Sequence, residues 1–159
     1  MSIDPTLQRY IDELPKALLN FQFLEEALKQ YLRRCYFMIA SVVRPFVPYS
    51  VAPAERLEKL SLGRLIKLFR DLNENEELIG KLLEFPRKRN FIAHQAYVAV
   101  SSNSDPTSLV DTAYADLQET IHVSEECLSQ LWSEIRELEE RFVTFHQEAQ
   151  SSHPGSRSA

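Results

Sequence analysis

The fold is decided by residues 114–145, which read YADLQETIHVSEECLSQLWSEIRELEERFVTF. Apolar side chains recur along this stretch at alternating steps of three and four residues, and Ser124 is the one interruption. The stripe consists of Tyr114, Leu117, Ile121, Leu128, Leu131, Ile135, Leu138, Phe142 and Phe145. A repeat of this kind predicts one long amphipathic helix that buries the stripe against its neighbours.

The length of this helix leads to a second expectation. An unbroken helix over these residues is about 50 Å long at about 1.5 Å per residue. A compact chain of 159 residues has a diameter of only about 40 Å. We therefore expect the helix either to bend near residues 122–124 or to project past the bundle. A projecting end offers apolar surface to a second copy of the chain.

The sequence before this stretch also predicts helices. Asp4 and Pro5 suit an N-cap and a first helical position, and Pro15 is expected to kink or end the first segment. Residues 24–42 carry a cleaner apolar stripe, and Pro45 predicts the end of that helix. Further helices are expected after Ser61 and after Asn75, because both residue types favour helix starts.

Pro86 is expected to open a new or kinked helix that runs to about Tyr97. Residues 101–106 then predict a polar loop before the final helix. The expected fold is all-α, an up-and-down bundle of four to five helices with a long C-terminal helix. Residues 1–150 are expected to form a single domain and residues 151–159 a disordered tail.

Composition excludes several classes of protein. Only three glycines occur, which argues against a turn-rich β-fold, and neither GxGxxG nor GxxxxGK[ST] is present. Eighteen basic and 23 acidic side chains give a net charge of −5, so any nucleic-acid contact needs a local basic patch. The first residues do not form a secretory signal and no apolar run is long enough to span a bilayer, so we expect a cytoplasmic protein without a membrane partner.

Metal and cofactor chemistry have no clear signature. Cys35 and Cys127 lie within apolar helical patterns and are expected to be buried thiols, not disulfide or zinc ligands. The four histidines contain no pair with metal-ligand spacing. Acidic pairs such as Glu25–Glu26, Glu125–Glu126 and Glu139–Glu140 are expected on solvated helix faces. We therefore expect neither a bound metal nor a cofactor.

One segment, PRKRNFIAHQAY at residues 86–97, concentrates three cations, an amide, an imidazole and a phenol. At 100° per residue, four of its polar side chains lie within about 80° of one another. These are Arg87, Asn90, His94 and Tyr97. Arg89 lies about 140° from His94, on the face of Phe85 and Ile92. A guanidinium on an apolar face needs an acidic partner or an anionic ligand.

These residue types fit cleavage of RNA phosphodiesters without a metal. Imidazole titrates near neutral pH, so His94 is suited to take a proton from a ribose 2′-hydroxyl. Arg89 or Arg87 is suited to hold the phosphate and stabilise its developing charge. Asn90 is placed to orient His94 from one turn earlier, and Lys88 adds attraction for the RNA backbone.

Spacing alone favours another interpretation. In it, the segment is a basic helix start whose arginines pair with glutamates of the bundle, and His94 is a core residue. The chain is then a helical dimerisation protein.

The order of motifs resembles a known family. RNFIAH at residues 89–94 is similar to the motif of HEPN domains, in which an arginine and a neighbouring polar residue precede a histidine by four to six residues. SLGRLIKLF at residues 61–69, followed by a leucine-rich helix, resembles prokaryotic members. The resemblance covers roughly residues 20–145 and implies a small all-α bundle in which the motif begins a late helix.

The resemblance also implies a function. HEPN proteins are commonly dimers in which two motifs face each other across a cleft. Many are metal-independent RNases of toxin–antitoxin or antiviral systems that leave a 2′,3′-cyclic phosphate. The motif positions here are Arg89, Asn90 and His94, and Arg87 fits the looser spacing. Some members have a tyrosine two residues after the histidine, whereas Tyr97 comes three after.

The leading expectation is therefore a metal-independent endoribonuclease of a prokaryotic toxin–antitoxin or antiviral defence system. Arg89 and His94 are its expected catalytic residues, and the expected substrate-binding residues are Arg87, Lys88, Asn90 and Tyr97. The expected partners are RNA, a second copy of the chain, and an antitoxin or other protein. The alternative is a non-catalytic HEPN module that binds a protein or nucleotide partner.

Overall fold

The structure, a computed structural model, describes residues 5–48, 54–101 and 107–151. It contains the helices α1 Pro5–Val43, α2 Ala54–Glu58, α3 Leu62–Arg70, α4 Glu76–Ser101 and α5 Thr107–Ser151. The described ranges contain no strand. The prediction of an all-α bundle with a long C-terminal helix is confirmed. The expected N-cap Asp4, residues 102–106 of the expected loop and residues 152–159 of the expected tail lie outside the described residues. Ser101 and Ser151, the first residues expected in that loop and that tail, belong to α4 and α5.

Helices α1 and α5 run parallel to each other. The side-chain amide of Asn20 donates a hydrogen bond to Ser124 Oγ at 2.9 Å. Gln118 donates to Glu13 near one end of the pair, and Arg34 donates to Glu139 near the other. In all three contacts the residue of α5 follows its partner by 104 or 105 positions. This constant offset fixes both the direction and the register of the two helices.

Helix α4 runs antiparallel to this pair and packs against both members. The rings of Phe21 in α1 and Phe85 in α4 lie 5.7 Å apart, edge to face. Near the other end of the contact, the Tyr10 hydroxyl lies 3.5 Å from the carbonyl oxygen of Ile92. Helix α4 therefore lies along the groove between α1 and α5. It also packs against α3, and its outermost side faces solvent.

Helices α2 and α3 cover another side of α1. Glu58 of α2 accepts hydrogen bonds from Lys29 and Arg33, and the ring of Phe69 in α3 packs 4.8 Å from that of Tyr31. With α2 running down, α3 up and α4 down, α5 returns parallel to α1, as an up-and-down order requires.

The interior is a continuous set of apolar side chains to which all five helices contribute, α2 through Leu57. Cys35 and Cys127 are both buried free thiols, as the sequence predicted. Burial raises the pKa of the Cys127 thiol to about 11, so this thiol is inert at neutral pH. The largest fully buried members are Tyr10, Phe21, Phe69, Phe85, Leu24, Leu28, Leu32, Leu65, Ile66, Leu78, Leu82 and Leu117.

Two prolines that were expected to interrupt helices lie inside them. Pro15 lies within α1, which does not end there. Pro86 lies within α4, so the expectation that a new helix opens there is wrong. Proline removes one backbone hydrogen bond, but Phe85 before Pro86 and Ile92 after it are both buried, and their packing holds the helix together. The basic segment is consequently the middle of a long helix and not a helix start.

The turn between α3 and α4 is fixed by side-chain hydrogen bonds. The Glu134 carboxylate of α5 accepts from the amides of Asn73 and Asn75 at 2.9 and 2.8 Å. Asn75 also caps α4, because its Oδ1 accepts from the backbone N–H of Leu78 at 3.1 Å. The buried Tyr31 hydroxyl accepts from Asn73, and burial raises its pKa to about 12. These bonds place the turn level with Tyr31 and Glu134.

Helix α5 continues well beyond this turn. No described residue of α5 after Ile135 is buried, while the helix runs on to Ser151. The sequence left two expectations for this long helix, a bend near residues 122–124 or a projection past the bundle. The final turns of α5 project past the bundle.

Ser124, the one interruption of the α5 stripe, is fully buried. It accepts the amide hydrogen bond of Asn20, and its own hydroxyl donates to the carbonyl oxygen of Ile121 at 2.8 Å. Both polar side chains are thereby satisfied inside an otherwise apolar contact. A buried polar pair of this kind specifies register, since any shift of α1 along α5 takes the buried Asn20 amide away from its acceptor.

Replacing Ser124 with alanine removes the acceptor of the buried Asn20 amide. We expect Ser124→Ala to lower the free energy of unfolding by about 1–3 kcal/mol, measured by urea denaturation. Ser129→Ala is the matched control, because Ser129 is exposed on the same helix and shares the change in helix propensity. Equal stabilities of the two variants would contradict the register-setting role of this pair.

Candidate functional site

The expected polar stripe lies on the solvent-facing side of α4. Arg87, Asn90 and His94 are all exposed. Because they belong to one helix, they lie within about 60° of one another. Tyr97 belongs to the same helix, and its side chain is outside the described part of the structure. We call the surface formed by Arg87, Asn90 and His94 the outer face of α4.

His94 is the exposed imidazole of this face. It makes no hydrogen bond or ion pair with any side chain in the described ranges. The interpretation of His94 as a core residue is therefore wrong. An unpartnered imidazole on an exposed helix face is available to a ligand or to a second protein molecule.

Arg89 projects to one flank of the outer face, where α1 supplies its partner. Arg89 Nη1 lies 2.6 Å from Glu25 Oε1, and the side chains are 43% and 22% exposed. Of the two alternatives for this guanidinium, an acidic partner or an anionic ligand, the structure supplies the acidic partner Glu25. The expectation that Glu25 lies on a solvated face is wrong. Glu25 lies about 40° from Phe21 around the helix, so the sequence itself places Glu25 at the edge of the buried face.

Lys88 projects to the opposite flank, towards α5. It lines a cavity of about 190 Å³ between the two helices. The other lining residues are Phe91, Ile92, Asp116, Glu119 and Thr120. Two carboxylates, those of Asp116 and Glu119, line the α5 side of this cavity. The structure therefore gathers Arg87, Asn90 and His94 on one face and separates Arg89 and Lys88 from them on either side.

The surroundings of the outer face are partly apolar. Leu83 and Phe91 are 43% and 49% exposed. The space beside Gly80 is open, with no side chain within 4 Å of the position that a Cβ would take. Large exposed apolar side chains on both sides of Arg87 favour contact with another protein surface.

Charge is divided along the same helix. The exposed acids Glu76, Glu77 and Glu84 lie in its first part, whereas Arg87, Lys88 and Arg89 follow Pro86. One end of α4 is consequently acidic and the middle is basic.

Comparisons with known protein families, with curated proteins and with solved structures find no match to this chain. The resemblance to HEPN domains therefore rests on residues 89–94 and on the order of the helices. No described helix has an apolar segment that could cross a membrane. Within the same ranges, no three His, Cys, Asp or Glu side chains are grouped so that they could hold a metal ion.

Exposure predicts how substitutions on this face affect folding. We expect His94→Ala and Arg87→Ala to change the free energy of unfolding by less than about 0.5 kcal/mol. Ile92→Ala, two residues before His94 but buried, should lower it by about 2–5 kcal/mol. Urea denaturation of the three variants tests this contrast. A loss for His94→Ala as large as that for Ile92→Ala would mean that the imidazole is packed inside the protein.

Proposed function

We propose that this chain is a metal-independent HEPN-type endoribonuclease whose active site forms where the outer faces of two α4 helices meet. The observation that carries the proposal is the exposed group of Arg87, Asn90 and His94, in which the imidazole has no partner among the described residues. Its proposed setting is a prokaryotic toxin–antitoxin or antiviral defence system, as the resemblance implies.

His94 acts as the general base in the proposed reaction. It removes the proton of a ribose 2′-hydroxyl, and the 2′-oxygen attacks the adjacent phosphorus. The bond from phosphorus to the 5′-oxygen breaks, so the products are a 2′,3′-cyclic phosphate and a 5′-hydroxyl. The leaving 5′-oxygen takes a proton from a water molecule, and the protonated His94 then returns its proton to the solvent. Asn90, one turn before His94 on the same face, binds the RNA beside the imidazole.

The arginines stabilise the charge that develops on the phosphate. Arg89 is the motif arginine, and Glu25 binds only its Nη1 atom. Glu25 is therefore a positioning residue that holds the guanidinium while its remaining N–H groups reach the phosphate. Arg87 lies about 20° from His94 around the helix and attracts the RNA backbone together with Lys88.

Two features of α4 support a two-fold homodimer. Exposed Leu83 and Phe91 flank Arg87 and supply apolar contact area. The division of charge along the helix favours antiparallel pairing, because the acidic first part of one copy then approaches the basic middle of the other. Pairing also places six cations, Arg87, Lys88 and Arg89 of each copy, along the paired helices of a particle whose net charge per chain is −5, which adds local attraction for RNA phosphates.

The second candidate is a non-catalytic HEPN module that binds a protein partner. The ion pair between Arg89 and Glu25 favours it, because this guanidinium already has a carboxylate partner within its own chain. A purely structural ion pair predicts that Arg89 contributes to folding and not to RNA cleavage. Cleavage assays on variants separate the two functions.

The purified chain should cleave RNA in EDTA, since the proposed mechanism uses no metal ion. His94→Ala should lower the cleavage rate by about 10² or more while the oligomeric state is unchanged. His122→Ala is the matched control, because that imidazole is 73% exposed on α5 and pairs only with Glu126 in the described structure. Loss of cleavage in EDTA with recovery in Mg²⁺ or Mn²⁺ would contradict the mechanism.

The two arginines are distinguished in the same assay. Arg89→Ala should abolish most cleavage, and a larger loss in Arg87→Ala would transfer the phosphate-stabilising role to Arg87. Glu25→Gln should lower kcat with little change in KM, and it should have no further effect in an Arg89→Ala background. Cleavage by His94→Ala and Arg89→Ala at the parent rate would exclude this site.

Light scattering at micromolar concentration should give twice the mass of one chain. Leu83→Glu or Phe91→Glu should yield monomers and remove cleavage together, because each places a carboxylate in the contact between two α4 helices. Leu19→Glu is the control, since Leu19 is 46% exposed on α1, away from this face. A strictly monomeric parent that cleaves RNA would contradict the composite site.

A further inference from the structure

The cavity of about 190 Å³ between α4 and α5 borders the outer face of α4. Ile92 and Thr120, which are 2% and 3% exposed, form its floor. Lys88 lies on the α4 side, and Asp116 and Glu119 lie on the α5 side. We call this space the flank cavity. It is smaller than the roughly 300–1,000 Å³ of pockets for drug-sized ligands, so it suits a single planar ring system.

The charged side chains of the flank cavity have no partner among the described residues. Lys88 makes no hydrogen bond or ion pair there, and the carboxylates of Asp116 and Glu119 make none either. Lys88 and Glu119 are nevertheless partly buried. Charged groups in such a place favour a ligand that offers complementary polar atoms.

These polar groups match one nucleobase. A carboxylate only accepts hydrogen bonds, whereas the ammonium of Lys88 only donates them. Guanine has two neighbouring donors, N1–H and N2–H, and acceptors at O6 and N7. Adenine and cytosine have a ring-nitrogen acceptor beside the amino group, and uracil has a carbonyl on each side of N3–H. Each of these three bases would therefore turn lone pairs towards the carboxylates.

The flank cavity also lies close to the proposed site of cleavage. Around α4, Phe91 lies about 60° from His94 on one side and about 60° from Lys88 on the other. Its ring is 49% exposed and lines the cavity. A base in the cavity contacts this ring on the Lys88 side, and its ribose then lies towards His94. The His94 side of Phe91 remains for the contact with a second copy.

We propose that the flank cavity binds a guanine base of single-stranded RNA next to the phosphate that is cleaved. The carboxylates of Asp116 and Glu119 accept hydrogen bonds from N1–H and N2–H, and Lys88 donates one to O6. The position of the cleaved bond rests on the proposed function, whereas recognition of the base needs no cleavage. An arginine side chain of another protein also has paired N–H donors, but the charge of Lys88 repels it.

The test uses DNA strands, which cannot be cleaved by this mechanism because they lack the 2′-hydroxyl. Labelled thymine oligonucleotides carry one guanine, hypoxanthine or adenine at the centre. Fluorescence anisotropy with the full chain should show binding of the guanine strand at least about tenfold tighter than of the adenine strand, as expected for one bidentate base contact. The hypoxanthine strand should bind with intermediate affinity, because hypoxanthine keeps N1–H and O6 but lacks the 2-amino group.

Replacement of the carboxylates tests the place of binding. Asp116→Asn/Glu119→Gln should abolish the preference for guanine. The adenine strand should bind this double variant as tightly as the parent or more tightly, because two negative charges are removed near the strand. Glu140→Gln is the matched control, since Glu140 is an exposed acid further along the same helix, and it should keep the preference of the parent. Circular dichroism verifies that each variant is folded.

Three results would overturn the proposal. The first is equal binding of the guanine and adenine strands by the parent. The second is a preference for guanine that the double variant retains. The third is displacement of the guanine strand by argininamide and not by guanosine 5′-monophosphate, which would make an arginine side chain the occupant.

Failure of this inference is distinguishable from failure of the proposed function. A preference for guanine strands in a chain that never cleaves RNA would contradict the proposed function and support base recognition. Cleavage of RNA next to all four bases, with equal binding of the DNA strands, would support the proposed function and contradict base recognition.

Discussion

The parallel pairing of α1 and α5 is the constraint on which the rest of the structure depends. Its register is held by the buried hydrogen bond between Asn20 and Ser124. Two long parallel helices leave a groove on the side of their apolar stripes, and the chain covers that groove with α4. Because α4 then contacts both helices, its orientation about its own axis is fixed, and with it the set of side chains that face solvent.

The candidate chemistry follows from that orientation. Ile92 and Phe85 are buried, so His94 and Arg87 are directed away from the core. Arg89 falls at the boundary, where Glu25 of α1 binds it. The ion pair therefore connects the helix that organises the bundle with the guanidinium of the proposed active site. The same geometry leaves Val42 of α1 and Phe145 of α5 exposed among the described residues, because α4 begins only at the level of Glu134.

The sequence predicted the helices better than it predicted their interruptions and contacts. The stripe of α5 and the helix end before Pro45 follow from local periodicity, which the structure preserves. No new helix begins at Pro86, because the packing of its buried neighbours outweighs the cost of a proline inside a helix. Only the tertiary fold supplies that packing. Glu25 and Arg89 are 64 positions apart in the sequence. Rules based on neighbouring residues cannot predict a contact between residues so far apart. The grouping of Arg87, Asn90 and His94 was predictable because the three residues lie on one helix. The proposed active site also needs the outer face of a second molecule, and the periodicity of one chain does not predict that contact.

The central claim is that the outer face of α4 promotes attack of a ribose 2′-oxygen on the adjacent phosphate of the same RNA strand. The chemistry of the cleaved ends tests it most directly. Mass spectrometry of an RNA oligonucleotide digested in EDTA should find 2′,3′-cyclic phosphate and 5′-hydroxyl ends. The same oligonucleotide with a 2′-deoxyribose at each cleaved position should remain intact. Products with 3′-hydroxyl and 5′-phosphate ends, cleavage of the deoxy-substituted strand, or no cleavage of RNA at all would contradict the account.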